Sequence, residues 1–440
     1  MAAFETREPD WLSFHEALRR AESIGDALPV SQQPIEEALG LAIGEEVIAQ
    51  ITLPPGPTSH MDGYALRATD ISPSGDGALS EPLPVVGASW AGAPWPNQLP
   101  VGSAVRIMTG ALLPAEADTI VPVEETDREK ILPGTVRVSL GSSGSPRHPR
   151  GRYVRPLGEE LKEGDHLATS GETVTPGLLS LLAATGEPTV SVHRAPVVAL
   201  LVTGDELVPP GDPSALANGI FRADILSPSL PPLISHCGGA PLSPKRVGDD
   251  RRALKEALIE AEAEADIIIT TGGASMGEAD LVKSVLHDMG FQLDFWRVLM
   301  RPGSPVSLGR LPKSRSGRQI PVLGLPGNPV SALVTFLTLG LPAIRALGGH
   351  ARHFLPKVQA TARERFGGPV TLTRFFRVRL DPETSGMYGA RLSASQGSGV
   401  IQSMASADGL ALVPEGTEAL EEGDPIQVSL IPHAGWGDTP

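Results

Sequence analysis

Residues 265–290, ADIIITTGGASMGEADLVKSVLHDMG, place an apolar run, a glycine-rich loop and a helical pattern in direct succession. The residues after the loop repeat at the three- and four-residue spacing of one helix face, and Gly290 predicts a left-handed cap. The apolar positions of that face are Leu281, Val282, Val285, Leu286 and Met289. Strand, loop and helix in this order predict a unit of a parallel α/β sheet, which binds ligands at the carboxyl ends of its strands.

The loop inside this stretch offers two kinds of ligand chemistry. Gly272 and Gly273 allow a ligand to approach the backbone, and amide groups at a helix start bind anions. Ser275, Glu278 and Asp280 carry oxygen atoms of the type that hard cations prefer. The residues therefore favour a metal–oxyanion pair such as Mg²⁺ with a phosphate, while a tight connection with solvated acids stays open.

Two further strand-and-loop units surround this stretch. APVVALLVTGDEL at 195–207 ends in Glu206, and QIPVLGLPGNPVSA at 319–332 predicts a strand, a turn and a helix capped by Asn328. Asp249 and Asp250 precede an amphipathic helix. Because strands that alternate with helices pair in parallel, three loops are expected at one sheet edge. These loops are 203–206, 271–280 and 325–331.

Composition excludes several classes of function. The 440 residues carry a net charge of −15, whereas nucleic-acid and membrane-surface proteins need a basic footprint. Cys237 is the single cysteine, so the chain predicts neither a disulfide framework nor a structural zinc site, and a cytoplasmic location is expected. The start MAAFETREPDW lacks a signal-peptide pattern, and no membrane-spanning helix is predicted.

The rest of the chain predicts helical and β-rich blocks. Residues 10–51 are predicted to be helical, with Asp10 and Pro34 opening two helices, and Thr175 caps a later one. Short strands divided by proline and glycine follow 53–58 and return after 351, where a small barrel or sandwich is expected. The predicted domains are a discontinuous helical or mixed domain (8–52 and 150–190), an inserted β-rich domain (53–149), an α/β domain (191–350) and a C-terminal β-barrel-like domain (351–440).

Seven motifs, each weak alone, carry a specific resemblance when they are taken together. They are SHMDGYA, RIMTGALLPAEADTIVPVEET, RPLGEELKEGD, TGDELVPPG, TTGGASMGEADLV, MRPGSP and LPGNPVSA, in that order. The set resembles the molybdopterin molybdenumtransferase family, which includes the MoeA proteins and the E domain of gephyrin. The resemblance runs from about residue 10 to 435 and implies a multi-domain α/β plus β fold with a molybdopterin-binding α/β domain.

The resemblance also implies an activity and its residues. Family members are homodimers that take adenylylated molybdopterin and molybdate, release AMP and need Mg²⁺. The matched acids would be Asp62, Glu206, Asp249 and Asp280, with Thr109 beside them; Glu206, Asp249 and Asp280 would hold Mg²⁺. Substrate-binding positions would be Gly272, Gly273, Ser275, Arg297, Arg301, Pro326, Pro329 and Ser331. Further implied partners are the molybdopterin adenylyltransferase and the enzymes that accept the cofactor.

Several positions depart from the family pattern. Glu160 stands where the family often has aspartate, and 222–224 read Arg-Ala-Asp instead of Asp-Ser-Asn. Arg301 and Ser304 replace the usual lysines of KPGKP, and an arginine is missing from the GLAIGEEV segment. These departures leave a second hypothesis open, a non-catalytic paralogue that binds and delivers molybdopterin. A gephyrin-like scaffold and pterin adenylylation are weaker alternatives, because no assembly surface is evident and the β-rich regions are unnecessary for adenylylation.

Overall fold

A computed structural model describes residues 11–74, 78–140, 148–211, 213–217, 219–272, 281–312, 317–383 and 386–432. The chain forms two compact units. The first unit contains Met1–Glu45, Thr169–Leu179 and Pro188–Pro440, and the second contains Glu46–Ala168 and Ser180–Glu187. The finer boundaries given above stay a prediction.

The helices of the described residues are short to medium in length. They are α1 (Phe14–Glu22), α2 (Pro176–Ala184), α3 (Pro213–Ala217), α4 (Leu226–His236), α5 (Arg251–Glu264), α6 (Leu281–Asp288), α7 (Pro329–Thr335), α8 (Leu341–Leu347) and α9 (Gln402–Ala405).

The strands form separate sheets in the two units. Those up to the start of the α/β sheet are β1 (Leu12–Ser13), β2 (Val30–Pro34), β3 (Val47–Ile48), β4 (Thr58–Ser59), β5 (Gly63–Leu66), β6 (Leu83–Ser89), β7 (Ala104–Ile107), β8 (Thr119–Pro122), β9 (Thr135–Val136), β10 (Val154–Arg155), β11 (His166–Ala168) and β12 (Thr189–His193). The later ones are β13 (Val197–Thr203), β14 (Leu207–Val208), β15 (Arg222–Ala223), β16 (Ala240–Pro241), β17 (Lys245–Val247), β18 (Ile267–Thr271), β19 (Gln292–Trp296), β20 (Val298–Arg301), β21 (Ser307–Leu311), β22 (Ile320–Leu325), β23 (Lys357–Ala362), β24 (Phe366–Gly367), β25 (Thr373–Pro382), β26 (Tyr388–Leu392), β27 (Gly409–Val413), β28 (Ala419–Leu420) and β29 (Pro425–Leu430).

The α/β sheet of the first unit has three parallel strands at its centre. Strand β18 lies between β13 and β22 and pairs in parallel with both. Strands β21 and β19 extend one side antiparallel, and β16 and β17 complete the other side. Every residue of β18 and β22 is buried, as expected for strands with helices on both faces. The predicted meeting of three strand ends at one edge is therefore confirmed.

Helices cover both faces of this sheet. Apolar residues of α5 and α6 form one cluster with β18 and β22. The opposite cluster contains residues of α1, α4, α7 and α8. The predicted face of α6 points inward, because Val282, Val285 and Leu286 are buried. Gly290 has a φ of 82° and closes the helix as predicted.

One helical stretch tests the prediction that no helix spans a membrane. Helices α7 and α8 are joined by a π-helical turn, Phe336–Gly340, into a 19-residue segment, Pro329–Leu347. By length and composition alone, this segment could cross a membrane. In its most apolar 18-residue stretch, 83% is buried inside the protein, so the apolar composition is that of a core helix.

The C-terminal strands close into a small barrel. Strand β25 pairs with β26 on one side and with β27 on the other, and β23 and β29 join the two ends of the ring. The prediction of a barrel or sandwich is thus resolved as a barrel. Strand β20, which follows the α/β sheet in the chain, pairs in parallel with β25. This pairing places the 301–305 turn against the barrel.

The second unit contains a five-stranded sheet with the order β8, β5, β7, β6 and β9. Gly63 in its middle has no room for a side chain, because a Cβ there would lie 2.1 Å from the carbonyl oxygen of Val121. The MDGYA segment therefore packs so closely against β8 that only glycine fits at that position. The prediction of β structure for this part of the chain is confirmed.

The prediction of two helices in 10–51 is only half correct. Helix α1 exists, but its cap is Ser13 and not the predicted Asp10, which lies outside the described residues; the Ser13 hydroxyl accepts a hydrogen bond from the Glu16 amide. The second expected helix, which Pro34 was to open, is instead β2 followed by a single 3₁₀ turn and extended chain. Gly40 adopts a φ of 81°, and Gly44 lies so close to Val30 that a Cβ would meet it at 2.5 Å. The chain turns tightly at these glycines, so the segment does not form a helix although its apolar residues have helical spacing.

Candidate functional site

The carboxyl ends of β13, β18 and β22 surround a cavity of about 220 Å³, which we call the strand-end cavity. Its acidic lining residues are Glu206, Asp224 and Asp249. Gly272 and Pro329, two predicted substrate-binding residues, line it as well. The structure thus brings the GDEL turn, the start of the glycine-rich loop and the start of α7 together within one unit.

Backbone geometry holds the acids of this cavity in place. The Asp249 amide donates to a carboxylate oxygen of Asp205 over 2.9 Å, which ties the α5 approach to the GDEL turn. Gly204 has a φ of 140°, and a Cβ there would lie 2.5 Å from Glu206 Oε2. Asp224 is 4% exposed, and its carboxylate accepts hydrogen bonds from the amide and the hydroxyl of Ser227. Glu206 and Asp249 remain the acids of the cavity whose carboxylates accept no hydrogen bond within the described residues.

The glycine-rich loop begins at the cavity wall. Gly272 has a φ of 87°, and a Cβ on it would meet Thr203 Oγ1 at 2.6 Å. The Thr203 hydroxyl in turn donates to the Thr271 carbonyl oxygen over 2.8 Å. Gly273, Ser275, Glu278 and Asp280, the predicted ligands of the loop, lie outside the described residues.

A second and larger cavity, about 980 Å³, adjoins the first through Gly272 and Gly327. We call it the barrel-side cavity, because β25 and the 396–398 loop form one wall. Three predicted residues, Arg301, Pro326 and Ser331, line it. It also contains Ser304, which departs from the family pattern, and three residues that the sequence did not point to, namely Arg374, Arg377 and Ser398.

The two arginines of β25 give this cavity its charge. Arg374 is 2% exposed and Arg377 1% exposed. Burial lowers the pKa of both guanidinium groups, that of Arg377 to about 10. Both groups still carry a positive charge near neutral pH, so the cavity is built to receive an anion.

Asn328 connects the two sides of the barrel-side cavity. It precedes α7 as predicted, but its side chain makes no capping bond. Its amide nitrogen instead donates to the Ser398 hydroxyl over 3.2 Å, and its buried Oδ1 has no partner among the described residues. A buried acceptor without a donor is costly, so this atom is available to a ligand.

Arg297 lies elsewhere. Its guanidinium stacks on the rings of Trp296 and Trp11, 4.3 and 5.1 Å from their centroids, and it lines neither of the two cavities described above. Its φ of 73° is unusual for a residue with a side chain. Its role in substrate binding stays a prediction.

Asp62 and Thr109 are brought together in the second unit. The amide and the hydroxyl of Thr109 both donate to Asp62 Oδ1, each over 2.8 Å. The backbone hydrogen bond first, and the hydroxyl bond second, lower the pKa of this carboxyl below its usual range. The pair of residues that the MDGYA and MTGA motifs indicated is therefore a hydrogen-bonded unit.

The strand-end cavity fits a hard cation only in part. Within the described ranges, no three His, Cys, Asp or Glu side chains are arranged to hold a metal ion. Mg²⁺, however, usually takes one or two carboxylates and completes its shell with water and substrate phosphate. Glu206 and Asp249 meet that requirement, and the third predicted ligand, Asp280, is not described.

Comparison with known proteins identifies the family. The MoeA N-terminal region (domain I and II) matches residues 12–186, a probable molybdopterin-binding domain matches 199–346, and the MoeA C-terminal region (domain IV) matches 359–431. A molybdopterin molybdenumtransferase of Haemophilus influenzae is 37% identical over 72% of each chain. The chain belongs to the molybdopterin molybdenumtransferase family. It is accordingly a transferase with a role in molybdenum cofactor biosynthesis.

Other relatives extend the match over nearly the whole chain. The molybdopterin molybdenumtransferase of Bacillus subtilis is 30% identical over 99% of this chain and 97% of its own. The crystal structure of a molybdopterin biosynthesis MoeA protein from Pyrococcus horikoshii covers 97% of this chain and 100% of its own, with a TM-score of 0.71 and 29% identity. The resemblance drawn from seven motifs, and the fold class that it implied, are confirmed.

Proposed function

We propose that this protein transfers molybdate onto the dithiolene of adenylylated molybdopterin in a Mg²⁺-dependent reaction that releases AMP. The observation that supports it is the pair of adjoining cavities, one acidic and one lined by buried arginines, which share Gly272 and Gly327. A reaction that combines a nucleotide phosphate with a metal oxyanion needs both environments side by side.

The barrel-side cavity is assigned to molybdate. Molybdate is a tetrahedral dianion, and Arg301, Arg374 and Arg377 supply positive charge around it. Guanidinium groups donate in a planar fork that suits oxyanions, and the Ser331 and Ser398 hydroxyls add neutral donors. The sulfur ligands of molybdenum come from the substrate, so a chain with a single buried cysteine suffices.

The strand-end cavity is assigned to the phosphate end of the substrate. Glu206 and Asp249 would hold Mg²⁺ there, and Gly272 allows the substrate to approach the backbone. Mg²⁺ held by these two carboxylates would supply positive charge next to the phosphates of the substrate. Asp62, Thr109 and Asp280 are proposed to serve the same substrate, as the family motifs imply.

The partners and location follow from this reaction. We propose a homodimer that works in the cytoplasm, receives its substrate from the molybdopterin adenylyltransferase and passes the cofactor to molybdenum enzymes. An acidic chain with one buried thiol agrees with a reducing compartment and with small-molecule substrates.

Glu206→Gln tests the assignment of the strand-end cavity, with Glu264→Gln on the exposed face of α5 as the matched control. Anaerobic incubation with adenylylated molybdopterin, Mg²⁺ and molybdate should release AMP at least 10-fold more slowly for Glu206→Gln and at the wild-type rate for Glu264→Gln. Equal rates for all three proteins would remove Glu206 from the site. Tight pterin binding by wild type without any AMP release would favour the non-catalytic delivery protein instead.

A further inference from the structure

Trp296 lies at the same edge of the α/β sheet as the strand-end cavity. It ends β19, which pairs antiparallel with β21, and β21 pairs antiparallel with β22. Strands β19 and β22 therefore run in the same direction and end at the same edge. Because neighbouring strands lie about 5 Å apart and β18 is three strands away, the Trp296 backbone is about 15 Å from β18. A substrate of nucleotide size that enters the strand-end cavity can reach this position.

Two cationic side chains share the ring of Trp296. Lys283 Nζ lies 3.9 Å and Arg297 Cζ lies 4.3 Å from the centroid of the ring. Lys283 belongs to the first turn of α6, the helix that follows the glycine-rich loop, whereas Arg297 directly follows β19. An indole ring attracts cations to its face more strongly than the other aromatic side chains do. Trp296 therefore gathers positive charge from two elements at one point of a chain whose net charge is −15.

The backbone of Arg297 is fixed in an uncommon conformation. Its φ is 73°, its amide donates to the Val306 carbonyl oxygen over 2.9 Å, and its carbonyl oxygen accepts the Leu12 amide over 3.3 Å. Among the described residues, Arg297 forms no ion pair with a carboxylate, and the acid nearest to it in sequence, Asp294, pairs with Arg20. The chain thus keeps this charge in place and leaves it open to an anion.

The indole nitrogen does not explain why a tryptophan occupies this position. Nε1 of Trp296 is buried and has no hydrogen-bond partner among the described residues. A buried donor without an acceptor is unfavourable, and a phenylalanine would fill much of the same space without one. The feature of this side chain that the structure uses is the ring face, over which both cations lie.

We infer that Trp296 is a positioning residue whose ring holds Lys283 and Arg297 together as a two-cation site for a phosphate group of the substrate. The inference deepens the proposed function and rests on it for the identity of the substrate, adenylylated molybdopterin. Two cations attract a phosphate through charge-assisted hydrogen bonds. Both side chains are only half-buried, so salt weakens this attraction.

Anaerobic calorimetric titration of the whole protein with adenylylated molybdopterin, with Mg²⁺ and without molybdate, measures this binding at about 50 and about 300 mM salt. At the lower salt concentration, Trp296→Leu should bind about 5-fold or more weakly than wild type, and its affinity should depend less on salt. Trp296→Phe keeps an aromatic face and should recover most of the affinity. Trp90→Leu, which removes an exposed tryptophan of the other unit, should behave like wild type.

A folded Trp296→Leu with the affinity and the salt dependence of wild type would overturn the inference. Equal losses in Trp296→Leu and Trp296→Phe would overturn it as well, because the ring face would then play no part. If Trp296→Leu does not fold, Lys283→Gln decides: it should weaken binding in the same salt-dependent way, whereas Lys255→Gln, on the exposed face of α5, should not. An unchanged affinity of Lys283→Gln would contradict the inference. Affinity is measured without AMP release, so failure of this inference and failure of the proposed function are separate results.

Discussion

At the residue scale, Asp62 shows how one neighbour sets the charge of a site residue. Its carboxylate is exposed, so burial contributes little, and the two hydrogen bonds from Thr109 decide its acidity. A carboxylate that accepts an amide and a hydroxyl together is stabilised in its charged form. Asp62 is thus an anion at any physiological pH, suited to orient a cation or a donor and unsuited to act as a proton donor.

Replacing Thr109 with valine removes one of these bonds and keeps the other. Thr109→Val retains the backbone amide, the larger contributor, and lacks the hydroxyl. The pKa of Asp62 should rise towards its usual range without reaching it. Carbon-detected NMR titration of the Asp62 carboxyl measures this directly, and an unchanged pKa would show that the hydroxyl bond is absent in solution.

Cys237 gives a second residue-scale prediction. The thiol is 1% exposed, donates to the Ile234 carbonyl oxygen and has its pKa raised to about 12 by burial. Native protein at pH 8 should therefore resist a thiol reagent such as dithionitrobenzoate, and should react once per chain in denaturant. Rapid labelling of native protein would contradict the packed thiol that both sequence and structure indicate.

At the element scale, the turn after β20 is fitted to α7. Gly303 has a φ of 106°, and a Cβ there would lie 2.2 Å from Thr335 Oγ1, a buried hydroxyl oxygen without a partner among the described residues. The turn carries Arg301 and Ser304 into the barrel-side cavity. Close packing of this turn on the helix therefore fixes one wall of the site.

Gly303→Ala should lower the free energy of unfolding by about 2–4 kcal/mol, because a steric clash is added to an unfavourable backbone conformation. Gly416→Ala is the matched control: its φ is 84°, but its Cβ would meet nothing within 4 Å. That control should cost about 1 kcal/mol. Urea denaturation of both variants measures the difference, and equal losses would mean that the turn has room to move.

Some elements of the fold and of the candidate site could be predicted from the sequence, and others could not. The ends of β13, β18 and β22 could be predicted, because a strand that is buried on both faces appears in the sequence as a continuous apolar run, and each of these runs stops near a glycine. Arg374 and Arg377 were missed, because basic residues in a strand usually face solvent, whereas both of these side chains are buried in the folded protein. The second predicted helix of 10–51 does not form, because the amides of Gly40 and Gly44 donate to the carbonyl oxygens of Val174 and Ser191, far away in sequence.

At the scale of the whole molecule, His350 links stability to pH. It is 4% exposed, bonds to Thr173 through Nδ1, and has its pKa lowered from 6.5 to about 3 by burial and then by Arg345. The folded protein thus keeps this ring neutral while the unfolded chain takes up a proton below pH 6.5. Its contribution to stability is complete above that pH and is lost as the pH falls towards 3.

Between pH 6 and 4, this one ring should cost the folded state about 1.4 kcal/mol for each pH unit. His350→Gln should be less stable at pH 7 and should lose stability less steeply on acidification. His15→Gln, an exposed position on α1, should behave like wild type. Denaturant melts across this pH range test the prediction, and parallel curves for His350→Gln and wild type would contradict it.

The family, too, could be predicted at this scale, because seven ordered motifs are a stronger signal than any one of them. The glycine-rich loop that the prediction centred on contributes Gly272 to both cavities, and its acids fall outside the described residues. The sequence could not predict that an acidic cavity and an arginine-lined cavity lie next to each other, because their positions depend on how the barrel packs against the 301–305 turn.

One anaerobic turnover experiment with the wild-type protein, adenylylated molybdopterin, Mg²⁺ and molybdate tests the proposed function most directly. We expect one AMP to be released for each molybdenum bound to the pterin, and we expect excess chelator to abolish this release and added Mg²⁺ to restore it. AMP release no faster than in a protein-free blank, from protein shown to be folded and able to bind the pterin, would contradict it.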